Sequence, residues 1–72
     1  MKTKMKNRLK EILEEKNITQ SELARRSGLH QATISKYVNN KIEMSLINAY
    51  IIARCLGVDT IELIVIERSE VK

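Results

Sequence analysis

Thr19-Gln20-Ser21-Glu22-Leu23-Ala24-Arg25-Arg26-Ser27-Gly28-Leu29-His30-Gln31-Ala32-Thr33-Ile34-Ser35-Lys36-Tyr37-Val38 holds two short amphipathic segments separated by one glycine. Thr19 with Glu22 three residues later reads as a capping box, in which each side chain takes up an N–H that a helix start leaves unpaired. Leu23 and Ala24 are the inward residues of that helix. Gly28 stops it after two turns by supplying the positive φ of a tight turn. The second segment, about His30 to Val38, predicts a helix that buries Leu29, Ile34 and Tyr37. Ala24 must be small because this helix crosses close above it. Asn39-Asn40 closes the unit.

Outward from this pair the pattern stays helical. Upstream, Met5, Leu9, Ile12 and Leu13 fall at i, i+4, i+7 and i+8, which predicts an amphipathic helix from about Met5 to Lys16, ended by Asn17. Downstream, residues 41–44 read as a connection. Ser45 caps a helix running through Leu56, with Leu46, Ala49, Ile52, Ala53 and Leu56 inward, and Gly57 stops it. Asp59-Thr60-Ile61-Glu62 is a second capping box and starts a short fifth helix. Leu63-Ile64-Val65-Ile66 is β-prone. No repeats or low-complexity tracts appear.

Composition narrows the class. Seventy-two residues predict one domain, residues 1–72, and a chain of this length buries only about 60% of its unfolded surface. Small folds usually add a disulfide, a metal or a second chain. Cys55 is alone, and with one histidine, His30, it cannot complete a structural zinc site. No prolines, two glycines and neither Phe nor Trp argue for an all-α fold. There is no signal peptide and no apolar run near the roughly 20 residues that span a bilayer, so a cytoplasmic setting is expected. Residues 1–41 carry ten Lys/Arg against four Glu, a balance of +6; residues 42–72 carry three against five Asp/Glu, a balance of −2. The basic half suits either a solvated face or a polyanion-binding one, and charge alone does not separate them.

Two short helices, a glycine turn, and Ala at the fifth position of the first helix form a helix-turn-helix signature over about 19–38. The stretch from Ile18 to Lys41 resembles the Cro and phage-repressor, or xenobiotic-response-element, helix-turn-helix family. Ser45-Leu46, Ile52-Ala53 and Leu56-Gly57-Val58 resemble that family's fourth helix, and Ile61-Glu62 its fifth. The likeness covers roughly residues 6–64. It implies an all-α, five-helix lambda-repressor-like domain and a DNA-binding transcriptional regulator, commonly dimeric and often a repressor.

Position by position, the resemblance implies roles that the side-chain chemistry supports. Ala24, Gly28, Leu29 and Ile34 are the structural residues of the motif. Gln31, Ala32, Thr33 and Lys36 lie on the recognition helix, where Gln can pair with adenine and an Ala methyl can meet a thymine methyl. Gln20 opens the preceding helix, whose free N–H groups suit a phosphate. Ser35, Asn39 and Lys41 stand at backbone-contacting positions. His30 sits where the family usually has a Ser or Thr cap, and reads as a poor cap or as a DNA-backbone contact. Lys36, Arg25 and Arg26 also suit plain surface solubility, and Cys55 a plain helix position.

Two departures are informative. Family members often carry a buried Arg and Glu at the positions of Leu13 and Val38, and both are aliphatic here. Replacing both partners by packed apolar groups is often neutral, whereas removing one is costly; Leu13 and Val38 are therefore expected to touch. Asn40 stands where Gly is usual, and Asn also accepts the left-handed region.

The back half carries more apolar surface than one small core needs. Ile47, Ile51 and Cys55 recur at i, i+4 and i+8, offset from the inward face. They read either as a wide core face or as a subunit interface. The interface reading extends over about residues 45–68, with Ile47, Ile51, Ile64, Val65 and Ile66 meeting a twofold mate and Leu63–Ile66 pairing as a strand with its counterpart. Some small family members dimerise through such a strand. Double-stranded DNA and a second copy are thus the expected partners, with no membrane, no metal, no cofactor and no small-molecule ligand evident. An antitoxin, or a protein-interaction module on the same fold, is the rival reading. One Asp, one His, one Cys and no glycine-rich phosphate loop argue against an enzyme. Glu11, Glu14 and Glu15 argue against a membrane-surface peptide built on the first helix.

Overall fold

The computed structural model describes residues 2–69. Five helices run in order: α1 Leu9–Lys16, α2 Gln20–Ser27, α3 Gln31–Val38, α4 Leu46–Leu56 and α5 Thr60–Leu63. Strands β1 Lys2–Asn7 and β2 Ile64–Ser69 flank them and pair antiparallel as a two-stranded ribbon. The register sets Lys2 opposite Ser69, Lys4 opposite Glu67, Met5 opposite Ile66 and Asn7 opposite Ile64.

The helix predicted from about Met5 therefore begins at Leu9, with residues 2–7 extended instead. The alternation Lys2, Lys4, Lys6 against Thr3, Met5, Asn7 is a period-two pattern, which a strand partner converts into a ladder. The Arg8 N–H donates to the Leu63 carbonyl at 2.8 Å, tying the start of α1 to the end of α5 just beyond the ribbon. Asn7 Oδ1 accepts the Leu9 N–H at 3.0 Å and so caps α1 from outside it. The C-terminal strand is present and pairs along one edge with β1 of the same chain, a partner that sequence reading did not supply.

The remaining helix ends follow local chemistry. Thr19 Oγ1 accepts the Glu22 N–H at 3.1 Å, while the Glu22 carboxylate pairs with Arg26 rather than reaching back. Ser45 Oγ accepts the Asn48 N–H at 3.2 Å. Asp59 and Glu62 form a complete reciprocal box, the Asp59 N–H donating to Glu62 Oε2 at 3.1 Å. Gly28 ends α2 at φ +77°, where a Cβ would meet no neighbour. The backbone angle, and not the space, is what asks for glycine there.

One core holds the helices together: Leu9, Ile12 and Leu13 from α1, Leu23 from α2, Ile34, Tyr37 and Val38 from α3, and Ala49, Ile52, Ala53 and Leu56 from α4, with Leu63 closing it. No polar or charged residue among those described is buried. Leu46, predicted inward, is instead 81% exposed, whereas Met44, from the connection ahead of the cap, is buried. Leu46 is the first residue of α4, ahead of the buried Ala49, Ile52, Ala53 and Leu56.

Candidate nucleic-acid interface

The inner side of α3 is fixed by Ile34, Tyr37 and Val38, all buried. A helix pinned along one side presents the other to solvent, and there Gln31, Ala32 and Lys36 are exposed, with Thr33 and Ser35 half-buried beside them. His30 precedes α3 with extended backbone angles and is exposed; its side chain makes no cap hydrogen bond. The first turn of α3 is thus left without a side-chain acceptor at His30, where a helix N-terminus favours a negative group.

Beneath α3, α2 supplies Leu23 to the core, with Ala24 half-buried against it as the small residue at the crossing. Leu29, in the turn, is likewise half-buried against the core. Gln20 opens α2, half-buried, on a groove that Lys10, Leu13, Glu14 and Val38 also line. Leu13 and Val38 are 5% and 8% exposed and belong to the same buried cluster. Basic side chains surround this face: Arg25, Arg26, Lys36 and Lys41 are all exposed. Arg26 is engaged with Glu22 across one helical turn, a surface pair that contributes only a few tenths of a kcal/mol.

Past α3, Asn39 and Lys41 are exposed on the turn that leaves the helix. Asn39 Nδ2 donates at 2.9 Å to the Ser35 carbonyl, which also accepts the Asn39 backbone N–H at 3.1 Å, and this leaves a second amide hydrogen for another partner. Asn40 adopts the left-handed region at φ +53°. Its side chain was not read from sequence as a partner of anything, yet its Oδ1 accepts from the backbone N–H of Asn7 at 3.2 Å and from Asn7 Nδ2 at 3.3 Å. A second unforeseen contact holds α3 from the opposite side. Tyr37 is buried, and its phenol oxygen accepts from Asn48 Nδ2 at 2.8 Å. The signal for it was available, since a buried tyrosine hydroxyl usually finds a partner.

The residues read as an interface are divided by the fold. Ile47 is 68% exposed, while Ile51 and Ile64 are half-buried. Val65 and Ile66 lie in β2, opposite Lys6 and Met5, and their side chains fall outside the described set. Sequence reading missed the rest of the apolar surface: Leu46, Tyr50 and Ile61 are exposed, and Leu46, Ile47, Tyr50 and Thr60 line an apolar groove. Arg54 lies 5.8 Å from the Tyr50 ring centroid and its Nη1 donates to the Tyr50 hydroxyl at 3.3 Å, which orients that ring. Cys55 is half-buried against the core and unpaired. Among the described residues no group of three His, Cys, Asp or Glu could hold a metal ion, and no helix is long and apolar enough to cross a membrane.

A helix-turn-helix whose second helix shows polar side chains on a basic surface defines the class. The chain belongs to the helix-turn-helix family, whose model matches residues 9–63. Among solved structures it is similar to a crystal structure of a "putative DNA-binding protein" from Bacteroides fragilis, at 39% identity and a TM-score of 0.80, over 85% of this chain and 98% of that one. No functionally curated protein matches.

Proposed function

We propose that this protein is a sequence-specific transcriptional regulator that binds double-stranded DNA through the major groove as a homodimer, and that it acts as a repressor. The exposed row Gln31, Ala32 and Lys36 on a helix anchored by Ile34, Tyr37 and Val38 carries this reading. In it Gln31, Ala32, Thr33 and Lys36 meet base edges, each good pair worth roughly 1–3 kcal/mol of discrimination. Gln20, His30, Ser35, Asn39 and Lys41 meet the phosphates, which supply most of the affinity and a steep dependence on salt. Family membership and the similarity to the "putative DNA-binding protein" of Bacteroides fragilis support it.

The dimer rests on surplus apolar surface. Leu46, Ile47 and Tyr50 are large, exposed and line one apolar groove, and Ile61 is exposed as well, an arrangement a small monomer seldom leaves open. A two-stranded ribbon is also marginal by itself in water. Pairing of β2 with a twofold mate, on the edge not taken by β1, would extend the ribbon to four strands. A twofold dimer then presents two recognition helices about 34 Å apart, one turn of DNA, and its operator is a near-palindrome. Occupying such a site within a promoter excludes polymerase, which is the ground for repression.

Selection from random DNA by the purified protein at moderate salt tests the reading. An enriched inverted repeat is expected; a folded protein that enriches no sequence refutes it. The same apolar groove favours a second reading, an antitoxin that holds a toxin on α4. A purified protein that is monomeric at micromolar concentration, yet binds DNA, would support that reading over the homodimer.

A further inference from the structure

Asn7 and Asn40 have no part in the contacts proposed above, yet four hydrogen bonds converge on Asn7. Its Oδ1 caps α1 through the Leu9 N–H, and its Nδ2 donates to the Tyr37 carbonyl at 2.9 Å and to Asn40 Oδ1 at 3.3 Å. Its backbone N–H donates to the same Asn40 oxygen at 3.2 Å. The amide of Asn7 thereby uses both faces, accepting at the start of one helix and donating at the end of another. Tyr37 lies in the last turn of α3, and Asn40 stands between Asn39 and Lys41. The turn that leaves the recognition helix is thus fastened, by side chains, to the junction of β1 and α1.

We propose that Asn7 and Asn40 are positioning residues for DNA binding: together they set where Asn39 and Lys41 stand relative to the base-reading row of α3. This rests on the regulator reading above. Backbone bonds close the turn itself, Asn40 N–H to the Tyr37 carbonyl at 3.0 Å and Lys41 N–H to the Lys36 carbonyl at 2.9 Å. They do not fix the turn against the rest of the molecule, which is what the Asn7 side chain adds. Glycine at position 40 would meet the demand of φ +53° as well as asparagine does, but would offer no acceptor. Both bonds to Asn40 Oδ1 are solvent-exposed, so their contribution to global stability is small and their effect is on geometry.

The clamp also depends on the ribbon. Asn7 is the last residue of β1 and sits opposite Ile64 in register. A one-residue slip would carry it to the other face of the ribbon and open the clamp. Whatever steadies the ribbon, a second copy included, therefore also steadies the exit of the recognition helix.

The test measures operator binding by fluorescence anisotropy across a salt series for wild type, Asn40→Gly, Asn7→Ala and the double variant. Each single change is expected to weaken operator binding about 3–10-fold. The slope of log affinity against log salt should fall by roughly one for each lost phosphate contact, about two per dimer. Melting of Asn40→Gly should stay within about 5 °C of wild type, and the double variant should lose less affinity than the product of the two single losses, because the two side chains share the Asn7 Nδ2–Asn40 Oδ1 bond. Asn40→Gly decides the matter, since it keeps the left-handed turn and does not touch the cap of α1. If wild type binds its operator and Asn40→Gly binds with the same affinity and salt slope, the clamp is refuted and the regulator reading stands. An affinity loss with an unchanged slope and a matching drop in melting temperature also refutes it, as a purely structural effect. Wild type that shows no sequence-dependent binding refutes the regulator reading, and the clamp with it.

Discussion

Leu13→Arg is the most revealing single change in the core. Leu13 projects from α1 into the cluster that Val38 joins from α3, and both line the groove beside Gln20. At 5% exposure, Leu13 is replaced by a guanidinium in a site with no acid facing it from α3. The cost combines lost apolar burial with a charge left without its partner, together about 3–5 kcal/mol. Glu14 on the groove rim offers partial compensation and Lys10 opposes it, which places the expected cost toward the lower end. For a domain of this size each kcal/mol moves the melting temperature by about 4–8 °C, so a fall of about 12 °C or more is expected. Val38→Glu alone should be similarly damaging, whereas the double variant restores an ion pair in place of the apolar contact and recovers most of the loss. Circular-dichroism melts of all four proteins at one fixed concentration close a double-mutant cycle, the fixed concentration being needed because self-association, as proposed above, would make apparent stability depend on it. A melting temperature for Leu13→Arg within a few degrees of wild type refutes the contact. A double variant no more stable than its worse parent refutes the exchangeability of the two kinds of pair.

Gln31→Ala should relax preference at one symmetric base position by roughly 1–3 kcal/mol while leaving the salt slope unchanged; base-by-base competition assays check this, and a uniform loss at every base would mean that Gln31 meets phosphate. Ile47→Asp, at an exposed position, should leave the helical spectrum intact and yield a monomer by analytical ultracentrifugation, with operator affinity falling to that of a single half-site; a dimer that survives moves the interface elsewhere. Tyr37→Phe removes the acceptor of the Asn48 amide and should cost about 1 kcal/mol, a drop of about 4–8 °C in melting temperature. An unchanged melting curve would show that water replaces the phenol without penalty.

Helices whose starts and stops are written in side chains were legible in the sequence. Thr19, Ser45 and Asp59 mark three starts, and Gly28 and Gly57 mark two ends, because caps are local chemistry read within four residues. The first segment was not, since Met5 satisfies a helical stripe with Leu9 and a strand alternation with Lys4 and Lys6 equally well. What settles it is β2, more than fifty residues away, and periodicity within a window carries no information about a distant partner. Leu46 went astray for a related reason: its spacing from Ala49 is right, but spacing does not say whether any element covers that end of the helix. Of the interface, the recognition-helix row could be placed by motif. Asn7 could not, because it fell inside the helix expected from about Met5, and its bonds to Tyr37 and Asn40 exist only once residues 2–7 are extended and α3 has packed.

The ribbon joins the first segment of the described chain to the last, and this orders events in time. As the chain is synthesised, β1 emerges before the helices and before β2, the strand it pairs with. Closing a loop of that length costs roughly 3–4 kcal/mol in chain entropy, a cost the helices lower by packing first and bringing both ends to the same side. Local helical contacts are expected to form before a pairing so distant in sequence, which makes the helical body the expected early part of the fold and the ribbon the expected late one. A nascent or partly proteolysed molecule that has lost either strand would still hold most of its core. On the clamp proposed above, it would keep the recognition helix but not the fastening of its exit turn, so an intact ribbon becomes a condition for full-strength binding.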